Sequence, residues 1–122
     1  MKLLKYLVVF LALSGPVHAY EAMDEIKVVF LCRNEAAAMK IALADIEGSR
    51  QATMLARQYT MMGVCGSMPN MLDAFVNQVL LDYTDWDGKL SQVVEVSLIH
   101  PVTKEVHPVK MYTILATRET GT

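Results

Sequence analysis

Cys32 and Cys65 are the only cysteines in the chain, and a bond between them would restrict the fold more than any other single feature. Closing a loop of about 34 residues removes unfolded-state entropy equivalent to about 3–4 kcal/mol in the chain-entropy description. Against a total stability of about 5–15 kcal/mol for an ordinary domain, that is a large share. The bond depends on compartment, because disulfides persist in oxidising surroundings and are rare in the cytosol.

The compartment is read from the first residues. Lys2 and Lys5 make a short positive segment, and Leu7 through Leu13 is unbroken apolar sequence. Ser14-Gly15-Pro16 then interrupts any helix, and Val17-His18-Ala19 places small residues where a signal peptidase reads. These are the parts of a secretory signal peptide, with cleavage expected after Ala19. The apolar stretch is too short to cross ~30 Å of hydrocarbon. The expected organisation is a signal peptide over residues 1–19 and one small domain over residues 20–122.

Charge narrows the partners. The chain carries 11 Lys and Arg against 13 Asp and Glu. Removing residues 1–19 leaves 103 residues with nine basic and thirteen acidic side chains, a net charge of −4. Such a chain has no basic field for nucleic acid, and its 53% hydrophobic content is too high for a disordered one. No apolar run long enough for membrane insertion remains after cleavage. The expectation is a periplasmic or secreted protein with Cys32 and Cys65 bridged.

The mature sequence divides in two. Tyr20 to Glu25 reads as a frayed polar lead-in. Ile26 to Cys32 is almost continuously apolar and β-branched, as in a strand covered on both sides. Asn34 is placed to cap a helix, with Glu35 complementing its positive end. Ala37, Ala38, Ile41, Ala42 and Ala44 form a narrow apolar stripe of small residues. Glu47-Gly48-Ser49 breaks it, because Gly costs ~1 kcal/mol inside a helix. A second helical segment, about 50–62, would face the core with Met54, Leu55, Tyr59 and Met62, and Gly63 would end it.

Beyond Cys65 the period changes from 3.6 to 2. Val79, Leu81 and Tyr83 alternate in one row, after a loop over 66–73. Asp85-Trp86-Asp87-Gly88 is a turn. Leu90, Val94, Val96 and Leu98 alternate on the returning strand, with Gln92 the polar exception. A last strand runs over about 109–116, and 117–122 reads as a tail. The predicted fold class is α+β: an N-terminal strand, one broken helix or two helices, then an antiparallel β-meander of three to four strands, with one disulfide.

Four constellations could carry chemistry. Asp82, Asp85 and Asp87 surround the only Trp, Trp86, at a predicted turn, an arrangement suited to anchoring a protein partner because Trp is enriched among residues that dominate binding. The alternative is that Trp86 folds back over the sheet. Met68 and Met71, with His100 or His107, could hold soft copper(I), though methionines also serve as adaptable filling. Cys32, just before a helix start, would suit a thiol oxidoreductase, but its partner is far from the Cys-x-x-Cys spacing of such enzymes. Glu95 and Glu105 are the carboxylates whose separation would decide a glycosidase-like pair. No Gly-x-Ser-x-Gly or His-Glu-x-x-His motif occurs.

The reading that follows is a non-catalytic exported binding protein: an inhibitor, an immunity or exclusion factor, or an accessory of an envelope assembly. Its partner would be an envelope or extracellular protein, met through Trp86, Asp85, Asp87 and Asp82. No metal or other cofactor is expected. Copper binding and thiol exchange are the alternatives.

Overall fold

The computed structural model describes residues 17–116 and 118–119. In chain order its elements are β1 (Val17–His18), β2 (Glu25–Cys32), α1 (Glu35–Glu47), α2 (Ser49–Met61), β3 (Cys65–Thr84), β4 (Leu90–Ile99), β5 (Val106–Ala116) and β6 (Arg118–Glu119). The expected leader lies outside these residues except at its end, where β1 pairs antiparallel with β6. The latter falls in the stretch read as a tail.

Helix starts and stops follow local chemistry. Asn34 Oδ1 accepts the Ala37 N–H at 2.8 Å and opens α1. Gly48 divides the two helices, its N–H closing on Ala44 O at 3.0 Å. Gly63 sits at φ +75°, where a side chain would be strained. Its N–H reaches Thr60 O and the Val64 N–H reaches Tyr59 O at 2.9 Å, a Schellman closure of α2. The chain then enters β3 at Cys65, directly opposite Cys32 in the register, and the two are bonded.

The expected meander is present, and it curls further than a flat sheet: β2, β3, β4 and β5 close into a barrel, all pairs antiparallel. Closure rests on a single register pair, Cys32 with Tyr112. The Thr113 hydroxyl extends it by donating to Phe30 O at 2.6 Å. Bulges supply the curl, since each adds local twist. The segment 68–71 faces the lone Val29 on β2, Asn77 and Leu80 are extra on β3, and residues 107–109 face Leu98.

Two apolar clusters result. Inside the barrel lie Ile26, Val28, Leu31, Ala74, Val76, Val94 and Val96, with Tyr20 packed against them. On the outer face, α1 and α2 cover Cys32, Cys65, Tyr83 and Val93 with Ala37, Ala38, Ile41, Ala42 and Ala52. The small side chains let the helices lie close to the strands.

Six expectations are corrected. The span 66–73 is not a loop: it belongs to β3, because pairing with β2 draws it into the sheet, and only 68–71 bulges out. Val79 does not share a face with Leu81 and Tyr83; the extra Leu80 turns Val79 into the barrel and the other two toward the helices. Cover on both sides of β2 holds only at its end, for Glu25, Lys27 and Val29 are exposed. Met54 and Met62 are exposed as well, because α2 turns Ala52, Leu55, Ala56 and Tyr59 inward instead. Leu90, at the strand end beside the turn, is also exposed. The residues read as a frayed lead-in are held: Met23 N–H donates to Val76 O at 2.7 Å, and Val76 N–H to Asp24 O at 2.9 Å.

Candidate functional site

The β3–β4 turn is built by its own residues. Asp85 Oδ1 accepts the N–H groups of Asp87 at 2.9 Å and Lys89 at 2.8 Å. Gly88 takes φ +83°, as the Asp-Gly signal requires. The Trp86 N–H donates to Asp45 O at 2.9 Å, satisfying a carbonyl in the last turn of α1 that has no partner within the helix. The backbone of the tip is thereby fastened to the helix layer while Trp86 as a residue stays 55% exposed. It does not fold back over the sheet.

The acids divide. Asp85 serves the turn, and Asp87 is exposed beside Trp86. Asp82 is drawn elsewhere: its Oδ1 accepts Gln92 Nε2 at 3.0 Å. Asp45, which the sequence did not point to, joins the site by accepting the Tyr83 hydroxyl at 3.1 Å. Burial first, then the Asp45 charge, push the Tyr83 phenol far above its usual range. At the barrel seam, burial and then Glu95 raise Tyr112.

Gln92, the polar exception in an apolar row, is only 2% exposed. The Tyr20 N–H donates to its Oε1 at 2.8 Å, and its Nε2 returns a bond to Tyr20 O at 3.1 Å. The side chain thus pairs with Tyr20 as a neighbouring strand would. Its place in the strand pattern was the available signal.

A second concave region lies at the other end of β4. A cavity of about 300 Å³ has apolar walls from Leu72, Leu98, Ile99, Val106 and Pro108. His100, His107, Glu105 and Asp73 also line it. An adjoining cavity of about 420 Å³ shares Asp73 and Ile99. His100 and His107 each precede a proline, and the fold brings both to one cavity. Each opens a His-Pro-Val turn. His100 Nδ1 accepts the Val102 and Thr103 N–H groups, both at 3.2 Å, and His107 Nδ1 accepts the Val109 N–H at 3.2 Å.

Those bonds bear on metal chemistry. A ligating imidazole keeps a proton on the nitrogen away from the metal and donates it. Here Nδ1 accepts in both rings, so the neutral form carries its proton on Nε2, where a metal would need a lone pair. Among the described residues no group of three or more His, Cys, Asp or Glu could hold a metal ion. Met68 and Met71 both sit in the β3 bulge, Met68 partly buried and Met71 exposed.

The remaining alternatives can be placed. Cys32 and Cys65 are both buried beneath the helices, away from an attacking thiolate. Glu95 is held at mid-strand by Gln78 Nε2 at 3.3 Å and Lys110 Nζ at 3.7 Å. Glu105 lies in the β4–β5 connection, beside the Ile99–Val106 pair that is four residues along β4 from Glu95.

Asp73 accepts from Lys27 Nζ at 2.6 Å. That hydrogen bond and the Lys27 charge hold its carboxyl below the usual range, with Lys104 adding to the effect. A depressed folded-state value favours folding above the unfolded-state value, and the benefit is lost as pH falls through the folded one. Both ends are partly solvated, so the contribution is modest. Lys27→Met is expected to move the Asp73 titration midpoint upward, read by carboxyl carbon NMR, and to flatten the acid side of the stability profile.

No family model, no curated protein and no solved structure matches this chain. Among the described residues no helix is long and apolar enough to cross a membrane.

Proposed function

We propose that this chain is an exported, non-catalytic binding protein whose partner is a protein of the envelope or the extracellular space. The observation that carries the reading is Trp86: a large aromatic side chain exposed on a turn whose backbone is fastened to α1. An anchor held in place before contact loses little conformational freedom on binding. Asp85 and Asp87 beside it favour a basic partner surface, where Arg or Lys can also lie against the indole ring.

The disulfide is compatible with an oxidising compartment, and the leader anatomy supplies the route there. Periplasmic or secreted location is part of the same proposal. The test is recovery of partners from the periplasm or medium with the exported protein and with Trp86→Ala. A partner bound by the wild type is expected to lose at least about tenfold in affinity with the variant, while the thermal midpoint stays unchanged. Equal retention by both proteins would remove Trp86 as the anchor. Recovery of no specific partner by either would remove the binding reading itself.

A further inference from the structure

The cavity at the β4–β5 end is independent of the Trp86 tip. The two lie at opposite ends of β4, about 30 Å apart along a ten-residue strand. Its volume of about 300 Å³ and its apolar walls fall at the small end of ligand sites. Three features describe what would fit.

First, the cavity is lined by two imidazoles whose Nδ1 atoms are engaged by backbone N–H groups, which leaves each neutral ring with an Nε2–H donor. Second, Glu105 supplies a carboxylate acceptor in the same lining. Third, the formal charges balance: Lys27 pairs with Asp73 at 2.6 Å, and Lys104, near enough to act on Asp73, stands next to Glu105 in sequence. A net-neutral lining gives no advantage to an ion. A head group that both accepts and donates while uncharged matches it, and the amide is the simplest such group.

An added peptide strand fits poorly. The adjoining stretch of β5 bulges over 107–109 and contains Pro108, which has no N–H to offer a ladder. We propose that this cavity binds a small apolar molecule with an uncharged amide head, its carbonyl accepting from the His100 and His107 Nε2–H groups and its N–H donating to Glu105.

The test is an NMR titration of the whole exported protein with octanamide, octanoate and N-acetyl-leucine N-methylamide. Octanamide is expected to saturate with a Kd of about 0.1–1 mM, typical of so small a ligand, shifting the two imidazoles and the Leu72 and Leu98 methyls. Octanoate, which must shed its carboxylate hydration with no net positive charge to meet it and has no N–H for Glu105, is expected to bind about tenfold more weakly. His107→Asp keeps an acceptor for the Val109 N–H but loses the donor, and should weaken octanamide about five- to tenfold. Leu98→Trp, which takes up cavity space and leaves both histidines in the sequence, should abolish the shifts. The proposal is overturned if wild-type protein shows no saturable shifts with octanamide, if octanoate binds as tightly, or if both variants bind unchanged. Tighter binding of the acetyl-leucine amide than of octanamide overturns it too, and assigns the cavity to a peptide. Since Trp86→Ala leaves this end untouched, failure of one reading is separable from failure of the other.

Discussion

Replacing Cys32 and Cys65 together with alanine is expected to cost about 3–4 kcal/mol, a large part of the stability of a domain this size. Two effects add. Without the bond the unfolded chain recovers the freedom of the 33-residue separation it closes. In the folded state, Cys32 is also the residue of β2 that meets Tyr112 and completes the barrel. Loosening the Cys32 end therefore threatens the one backbone pairing between β2 and β5. For a domain near 100 residues the loss corresponds to a fall of roughly 12–30 °C in thermal midpoint. Equilibrium urea unfolding of the oxidised protein and of the double variant would measure it. A difference under about 1 kcal/mol would mean that the barrel and helix layer hold without the staple.

Gln92→Leu is expected to destabilise the protein by about 2–3 kcal/mol, although it makes the interior more apolar. The substitution is close in volume and leaves no large void. The cost arises because Gln92 bonds both the N–H and the carbonyl of Tyr20, together with Asp82. Leucine removes all three bonds, two of them at half-buried Tyr20, and losing a polar partner there costs more than one extra apolar contact returns. The lead-in would be released: hydrogen exchange should rise over residues 20–24 while α1 stays protected. If stability is unchanged and those residues remain protected, the Met23–Val76 and Asp24–Val76 bonds hold the segment without help.

The site was legible in part. Trp86 and its turn could be read because Asp85, Asp87 and Gly88 act on their immediate neighbours, and the structure keeps the indole exposed. Asp82 looked equivalent because it lies close in sequence, yet it belongs to the Gln92 network. Asp45 could not have been named, since only the packing of α1 on the β3–β4 turn brings it near Tyr83 and Trp86. His100 and His107 carried a visible repeat, His-Pro-Val twice, but their common cavity depends on how β5 returns beside β4.

What the residues alone determined is what short-range chemistry controls. Asn34 opens a helix, Gly48 interrupts it and Gly63 ends it, and Asp85 to Gly88 turn the chain. In each case the constraint acts through a few neighbouring peptide units, so the surroundings could not reverse it. The tertiary structure decided which face each strand residue takes and whether the sheet closes. A bulge such as Leu80, or 68–71 opposite Val29, comes from fitting two distant strands together, and one extra residue exchanges inside for outside along everything that follows. Register is a property of the pair, so a single strand's alternation could not disclose it.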